Sequence, residues 1–295
     1  MDQFLAMKVF VAVVDEESFG AAAKKLNLSR TAVSKNVMDL EAHLKARLMN
    51  RTTRRQSLTG TGYAYYQRAK FILNEIEEAD AEATNQSRTP HGLLRVNAPM
   101  SFGILRIAPY LKAYLDRYPG VDIELTLNDR VVDLVDEGYD LAIRIGVLAD
   151  SSLIARRIAS SELLVCAAPA YLETQGIPEW PSDLAAHQCL TYSYLDRPDR
   201  WRFSRGSEDL TVRITPRLIS NNGDALLTAA ASSLGIILQP SFIVEAALED
   251  GRLQRILAEF DAGELGIYAV YPSNRLISAR VRTFIDYLRG CFAGR

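Results

Sequence analysis

A nine-residue segment, SRTAVSKNV at positions 29–37, combines side chains that bind polyanions with side chains that pack in a core. The candidate contact residues are Ser29, Arg30, Thr31, Ser34 and Lys35. Guanidinium and ammonium groups contact phosphates and base edges, and hydroxyls add hydrogen bonds to either. In a helix, Val33 and Val37 lie on the opposite face. The segment is therefore predicted to pack by one side and to offer the other to the major groove of a nucleic acid.

Two further helices are predicted to hold this segment in place. Apolar residues of the first recur at helical spacing: Phe4, Val9, Phe10 and Val13. Ser18 can cap a second helix, and Ser29 can cap the third after a short turn at Asn27. The alanines at positions 21–23 allow the close crossing that a helix-turn-helix needs.

Two short strands with a basic tip are predicted after the third helix. Leu48 and Leu58 can anchor the strands. The arginines near the tip are Arg51, Arg54 and Arg55. Such a wing reaches for the nucleic-acid backbone or the minor groove.

A long helix follows, with Thr59 as its candidate cap. Small and apolar residues form a stripe along it: Gly62, Tyr65, Ala69, Ile72, Ile76, Ala79 and Ala83. Their spacing of three and four over about three heptads predicts a coiled coil that pairs two chains. The alternative is that the stripe packs against its own domain.

Positive charge is concentrated in this part of the chain. Between positions 24 and 55, nine lysine and arginine residues face only Asp39 and Glu41, although the formal net charge of the 295 residues is −2. A basic module on an acidic body is typical of proteins that bind a polyanion. A solvated helical surface is the alternative when a charge run is taken alone.

Other functional classes find little support. The cysteines Cys166, Cys189 and Cys291 lack the spacing of a zinc site or a disulfide framework, which favours a reducing, cytoplasmic setting. No secretory signal is recognisable. Residues 225–244 are uncharged, but Gly235 and Pro240 divide them into a helix, a buried strand and a second helix, so we expect core and no membrane span.

No catalytic constellation is present in the sequence. It has no nucleophile elbow and no phosphate-cradling glycine loop, and its histidines, His43, His91 and His187, are scattered. His187 lies close to Cys189, but ordinary packing explains both. We expect no enzymatic activity, no metal and no cofactor.

The rest of the chain alternates strands and helices after a polar hinge at residues 88–92. Strands are predicted at 93–98, 121–127, 140–146, 153–168, 190–194, 211–219, 235–238 and 266–273, and helices at 103–118, 131–138, 169–175 and 277–288. The strands are β-branched or rich in leucine, as parallel strands covered on both faces tend to be. Ligands of such sheets bind at the carboxyl ends of the strands.

The run SFGAAAKKLNLSRTAVSKNVMDLEAHLKARLMNRTTRRQSLTGTG, positions 18–62, resembles the winged helix-turn-helix of the LysR-type transcriptional regulators. The similarity covers residues 1 to about 87. Lys45 replaces a usual glycine, Met49 a usual phenylalanine and Arg30 a frequent glutamine. The base that Arg30 would read therefore does not transfer from the family, and arginine favours guanine.

This resemblance implies an α+β multidomain protein. Residues 1–60 would form the winged helix-turn-helix, 61–87 a coiled-coil linker helix for dimerisation, 88–92 a hinge and 93–295 an effector-binding domain. The last would be an α/β domain of the periplasmic-binding-protein-like (type 2) fold, with subdomain I at 93–163 and 268–293 and subdomain II at 164–267. A transport receptor with that fold is disfavoured by the N-terminal module.

The effector is expected at the strand ends between the subdomains. The candidate effector-binding residues are Pro99, Met100, Ser101, Phe102, Asn128, Arg144, Gly146, Asn221, Asn222 and Gln239. The helix after Ser101 would offer free N–H groups to a small anionic or polar molecule. Ser101 and Asn128 are carried over from the family by position. As alternatives, Ser101 is a simple helix cap and Arg144 pairs with a buried carboxylate.

The implied partners are double-stranded promoter or operator DNA, a small-molecule effector and further copies of this chain. The resemblance implies a dimer through the linker helix and a homotetramer through the effector domains. It also makes RNA polymerase a candidate partner and the gene's own upstream region a candidate operator, in a bacterial cytoplasm and without a membrane. As an alternative, the C-terminal domain serves only oligomerisation or partner contacts.

Overall fold

A computed structural model of the chain describes residues 1–51, 56–83, 90–146, 148, 153–273 and 277–293. The chain divides into two compact units, Met1–Thr89 and Pro90–Arg295. The predicted hinge falls at this division, and its residues 88 and 89 lie outside the described part.

Three helices open the first unit, and local side-chain caps set where they start. They are α1 (Gln3–Asp15), α2 (Phe19–Lys25) and α3 (Arg30–Leu44). Ser18 Oγ accepts the N–H of Ala21 at 3.3 Å, and Ser29 Oγ accepts the N–H of Ala32 at 3.1 Å. Each cap satisfies an N–H group that lacks a partner within the helix, which is worth about 1 kcal/mol. Both predicted caps are confirmed.

A two-stranded sheet and a long helix complete this unit. The strands β1 (Met49–Arg51) and β2 (Gln56–Leu58) pair antiparallel, with Met49 opposite Leu58. The helix α4 (Gly60–Ala83) begins after Thr59, whose Oγ1 accepts the N–H of Gly62 at 2.8 Å. Leu48 and Met49 are buried among the helices, so the predicted apolar anchor of the wing is confirmed.

The first half of α4 packs against its own unit. Ala69 is buried in the core that α1 and α3 form, and the ring of Tyr65 lies 5.7 Å from that of Phe10. Gly62 lies against the start of β1. The surface of α4 left for pairing with a second chain is thus shorter than the sequence spacing indicates, because Gly62, Tyr65 and Ala69 pack within the unit. Ile72 is 36 % exposed, and the side chains of residues 77–83 lie outside the described part.

Lys45 ends α3 in a conformation that favours glycine. Its φ of 51° and ψ of 32° are left-handed, and the N–H of Ala46 closes the helix by donating to the carbonyl of Glu41 at 3.1 Å. This is the Schellman arrangement, in which the left-handed residue is usually glycine because it has no Cβ. The departure from the family pattern at this position therefore carries backbone strain.

Replacing Lys45 with glycine is expected to stabilise the first unit by up to about 1 kcal/mol. The left-handed conformation costs an L-residue about 1–2 kcal/mol, and part of the gain is offset because glycine is more flexible when unfolded. Lys24→Gly is the control, since that exposed lysine is helical and its loss should cost about 1 kcal/mol. Thermal unfolding followed by far-ultraviolet circular dichroism measures both, and equal destabilisation would contradict the assignment.

The second unit contains strands and helices in alternation. Its strands are β3 (Gly92–Ala98), β4 (Val121–Leu127), β5 (Leu141–Ile145), β6 (Leu153–Ala167), β7 (Cys189–Tyr192), β8 (Arg200–Arg205), β9 (Glu208–Arg213), β10 (Pro216–Ser220), β11 (Ile236–Pro240), β12 (Gln254–Ile256) and β13 (Glu264–Pro272). Its helices are α5 (Met100–Phe102), α6 (Ala108–Arg117), α7 (Pro169–Gln175), α8 (Gly223–Ala231), α9 (Ser241–Glu249) and α10 (Ala279–Phe292). A π-helical turn, Gly103–Ile107, joins α5 to α6, and a 3-10 turn covers Pro181–Ala186.

One long strand joins two lobes of this unit. The strand order is β10-β7-β11-β6-β13-β5-β3-β4, with β12 also paired to β6. β6 pairs with β13 as far as Glu162 and with β11 from Leu163 onward. We call the side with β3, β4, β5 and β13 the first lobe and the side with β7, β10 and β11 the second lobe.

Parallel pairing within each lobe collects the strand ends. β3 runs parallel to β4 and β5, and β7 runs parallel to β10 and β11. The segments that follow β3, β4 and β5 therefore share one edge of the first lobe, and those that follow β7, β10 and β11 share one edge of the second.

Three local predictions were wrong. Residues 134–138 form turns and no helix: the Asp133 carboxylate accepts the N–H groups of Val135 and Asp136 at 2.9 and 3.0 Å, as a helix cap does, but Gly138, with a φ of 74°, ends the turn directly, and the N–H of Tyr139 donates to the carbonyl of Leu134 at 2.9 Å. The strand expected at 211–219 is two strands, of which β9 pairs with β8 in a hairpin that the sequence did not indicate. The helix expected from 103 begins at Met100.

The uncharged segment at 225–244 is core, as predicted. It contains α8, β11 and the start of α9, and Leu226, Ile237 and Val244 are fully buried. None of the described helices is long and apolar enough to cross a bilayer.

Candidate nucleic-acid interface and ligand cleft

The two faces of α3 differ as the sequence predicts. Val33, Val37 and Leu40 are buried on one face. On the other, Arg30, Thr31 and Lys35 are exposed and Ser34 is half-buried. The first turn of α3 therefore presents two cations and two hydroxyls to solvent, beside the positive end of the helix dipole.

Glu41 fixes the wing to α3. Its Oε1 accepts the backbone N–H of Leu48 at 2.8 Å and that of Met49 at 3.1 Å. From the other side, Thr59 Oγ1 donates to the carbonyl of Arg47 at 2.7 Å. The sequence did not indicate this role of Glu41, because the two groups that donate to its carboxylate are backbone N–H groups seven and eight residues away.

The tip of the wing is not part of the described structure. Arg54 and Arg55 lie within residues 52–55, and for Arg51 only the backbone is described. Their contact with DNA stays a prediction.

The strand ends of the two lobes meet through three side-chain contacts. Ser101 Oγ donates to Asp224 Oδ2 at 2.8 Å, and Asn222 Nδ2 donates to the sulfur of Met100 at 3.5 Å. The Tyr192 hydroxyl of the second lobe faces the carboxylate of Asp129 in the first. Ser101 is therefore no simple helix cap, since its hydroxyl crosses to the other lobe.

Two side-chain amides near this junction lack hydrogen-bond partners among the described residues. Gln239 is 2 % exposed, and its amide makes no hydrogen bond to any described residue. A Cβ added to Gly223 would lie 3.2 Å from Gln239 Oε1 and 3.4 Å from Ser101 Oγ, so these groups converge on one point. Asn128 Oδ1, at the end of β4, is also buried without a partner. Each such group costs about 1–3 kcal/mol unless a ligand or water satisfies it.

Asp129 is a cleft residue that the sequence analysis missed. Its Oδ1 accepts the N–H of Met100, the first residue of α5, at 3.2 Å. Burial raises the pKa of Asp129, and the charge of Asp224 on the opposite lobe raises this pKa further. Its position directly after Asn128, at a strand end, was the available signal.

Arg144 holds the loop after β4. Its guanidinium donates to Asn97 Oδ1 at 3.0 Å and to the carbonyl of Val132 at 3.2 Å. Burial lowers the pKa of Arg144. These partners are an amide oxygen and a backbone carbonyl, so the alternative of a buried ion pair is wrong, while contact of Arg144 with the effector stays a prediction.

The other candidate effector-binding residues lie in different parts of the second unit. Asn222 caps α8 by accepting the N–H of Ala225 at 2.9 Å, Asn221 is exposed and Gly146 ends β5 with a φ of 122°. Pro99 precedes α5. The ring of Phe102 does not join the cleft: it packs against Phe242 and Phe292 and lines a separate groove of about 670 Å³ beside α9.

The Cys189 environment supports ordinary packing. Its thiol donates to the carbonyl of Leu184 at 3.6 Å, while His187 Nδ1 lies 3.2 Å from the Tyr171 hydroxyl. Burial raises the pKa of Cys189 and of Cys166 to about 12. Both thiols therefore stay protonated and unreactive at neutral pH.

These thiols predict a loss of stability at high pH. Between about pH 9 and 12 the unfolded thiols lose their protons while the folded ones keep them, so the free energy of unfolding should fall by about 1.4 kcal/mol per pH unit for each thiol. Urea unfolding at pH 8, 9 and 10 measures this slope, and the Cys166→Ala, Cys189→Ala double variant should flatten it. An unchanged slope in that variant would contradict the assignment.

Comparison with known proteins covers both units. The family model "Bacterial regulatory helix-turn-helix protein, lysR family" matches residues 4–63, and "LysR substrate binding domain" matches 87–293. An HTH-type transcriptional regulator of Haemophilus influenzae is 41 % identical over 281 residues, covering 95 % of this chain and 98 % of that protein. The regulator PtxR of Pseudomonas aeruginosa is 37 % identical, covering 95 % of this chain and 90 % of PtxR.

A solved structure supports the same assignment. CrgA, a LysR-type transcriptional regulator from Neisseria meningitidis, is similar with a TM-score of 0.64 and 33 % identity, over 98 % of this chain and 99 % of that one. The chain therefore belongs to the LysR family of DNA-binding transcriptional regulators, which join a helix-turn-helix unit to a substrate-binding domain and are not enzymes.

Proposed function

We propose that this regulator reads its operator with the exposed face of α3 and responds to a polar small molecule bound between the lobes of the second unit. The observation that carries the response is a convergence of polar groups at the strand ends: the amide of Gln239, which has no hydrogen-bond partner among the described residues, and the buried Oδ1 of Asn128. Native proteins satisfy nearly all buried polar groups. Unsatisfied polar groups at the strand ends of facing lobes are groups that a polar ligand would satisfy.

On the DNA side, the first turn of α3 supplies the reading face and Glu41 keeps the wing at a set position beside it. Arg30 and Lys35 would contact base edges or phosphates, and Ser29, Thr31 and Ser34 would add hydrogen bonds. Arg51, Arg54 and Arg55 would reach the flanking backbone.

Two copies of the chain would pair through the second half of α4. Ile72 and Ile76 carry the part of the stripe that the first unit leaves partly open. A dimer places two recognition helices on successive major grooves, and pairing of the effector units would extend it to a tetramer. RNA polymerase is a further candidate partner in the bacterial cytoplasm, where the DNA lies.

The test replaces Gln239 with methionine, which keeps the volume and removes the amide. Without its unpaired amide, the second unit should become more stable by about 1–3 kcal/mol. A reporter driven by the gene's own upstream region should at the same time stop responding to the growth conditions that change its expression with the native chain. Gln175→Met, on the exposed end of α7, is the matched control. Loss of stability with an intact response would overturn the proposed site.

A further inference from the structure

The cleft holds two carboxylates that face each other from opposite lobes. Asp129 follows β4 in the first lobe, and Asp224 lies in the first turn of α8 in the second. The two carboxylates bond to adjacent residues, since Asp129 Oδ1 accepts the N–H of Met100 at 3.2 Å and Asp224 Oδ2 accepts the Ser101 hydroxyl at 2.8 Å, and the charge of Asp224 raises the pKa of Asp129. Like charges across a cleft oppose its closure.

Both carboxylates already occupy the places where an anion would bind. The N–H of Met100, which begins α5, donates to Asp129 Oδ1 at 3.2 Å. Asp224 sits in the first turn of α8, where its charge complements the positive end of the helix dipole. The sequence suggested that the start of the helix near Ser101 would receive an anionic or polar effector, but Asp129 of the protein itself accepts the N–H of Met100 there.

The hydrogen-bond donors of the cleft are used, and acceptors are left over. The Ser101 hydroxyl donates to Asp224, and the Asn222 amide donates to Met100. Asn128 Oδ1 is buried without a partner, and the side-chain amide of Gln239 makes no hydrogen bond to a described residue. Each carboxylate oxygen pair also accepts several hydrogen bonds when ionised, so Asp129 and Asp224 have capacity to spare.

Nearby cations do not neutralise these acids. Within the described ranges, neither Asp129 nor Asp224 takes part in an ion pair within 4.0 Å. Arg144 is held by Asn97 and backbone carbonyls, and Arg130 pairs with Glu137. The cleft is thus negative in charge and rich in acceptors.

We propose that the effector is a small organic cation, an amine that is protonated at neutral pH, whose N–H groups bridge Asp129 and Asp224. This inference rests on the proposed function of the cleft and adds the chemical class of its ligand. The unpartnered oxygens of Gln239 and Asn128 supply further acceptors for the same molecule. A bridging cation replaces repulsion between the lobes with attraction, so it binds the closed arrangement better and shifts the population toward it.

The test compares amines with carboxylates of similar size on the full-length chain. The probes are benzylamine against benzoate and 1,4-diaminobutane against succinate, at equal ionic strength and pH 7.5. Tryptophan fluorescence follows melting of the second unit, which contains both tryptophans, Trp180 and Trp201. At ten times its dissociation constant, an amine should raise the melting temperature by about 3 °C or more, and the carboxylates should not.

Asp129→Asn and Asp224→Asn should each abolish the shift with the amine, while Asp209→Asn, on the exposed hairpin strand β9, should keep it. Asp129→Asn should also melt higher than the native chain without any ligand, because it removes one of the like charges. If only benzoate or succinate raised the melting temperature, the proposal of a cationic effector would be wrong, but the cleft would still be an effector site. If neither amine raised the melting temperature, the proposal of a cationic effector would also be wrong. The Gln239→Met reporter assay then decides separately whether the cleft responds to a ligand.

Discussion

Replacing Gly62 with alanine is expected to destabilise the first unit by about 3 kcal/mol or more. An added Cβ would lie 1.8 Å from the carbonyl oxygen of Leu48 and 2.7 Å from its carbonyl carbon. Both are backbone atoms at the start of β1, where Glu41 and Thr59 hold the chain, so neither side moves away easily. Overpacking of this kind costs about 1–3 kcal/mol where side chains can shift, and more where they cannot.

Gly60→Ala, two residues earlier in the same helix, is the matched control. A Cβ at Gly60 meets nothing within 4 Å, so alanine there should be neutral or stabilise α4 by up to about 1 kcal/mol. Far-ultraviolet circular dichroism reports the helices of both units, and tryptophan fluorescence reports the second unit alone, so a transition seen only by circular dichroism belongs to the first unit. We expect Gly62→Ala to lower only the first transition. Equal stability of the two variants would show that Gly62 does not lie against β1.

Removing Ser34 and Lys35 together is expected to weaken operator binding by about 10- to 100-fold. Each good contact to a base edge is worth about 1–3 kcal/mol, and a phosphate contact adds affinity that depends on salt. Lys35 is exposed and Ser34 half-buried on the face of α3 opposite Val33 and Val37. Truncation to alanine therefore leaves the packed face unchanged, and the loss should come from DNA contacts.

Binding of the Ser34→Ala, Lys35→Ala double variant to the gene's own upstream region should be measured across a range of salt concentrations. If Lys35 contacts a phosphate, the slope of log affinity against log salt should fall in magnitude by about 0.9. Lys112→Ala in α6 is the control: that lysine is exposed, paired with Asp116 and located in the second unit. If the double variant bound this DNA with native affinity, the face of α3 that carries Ser34 and Lys35 would not be the reading face.

Features set by local hydrogen bonds could be predicted from the sequence. Ser18, Ser29 and Thr59 each bond an N–H three residues ahead, so the residue type and its spacing contain the whole interaction. The apolar stripe of α3 is likewise a property of one helix. The helix-turn-helix, the wing and most strands of the second unit followed from such signals.

Features set by distant partners could not be predicted in this way. The stripe on α4 has the spacing of a dimer seam, yet Gly62, Tyr65 and Ala69 pack on β1, α1 and α3 of the same unit. Spacing defines a face, and tertiary structure decides what covers it.

By itself, the sequence predicted a DNA-binding helix-turn-helix and an α/β unit whose ligand would bind at the strand ends. The tertiary structure decided what charge that cleft offers. Asp129 and Asp224 are far apart in sequence and belong to different lobes, and each sits at a helix start that would otherwise attract an anion. Only folding brings the two acids together. The long strand β6 pairs with β13 of the first lobe and with β11 of the second, and this pairing makes the strand ends of the two lobes neighbours.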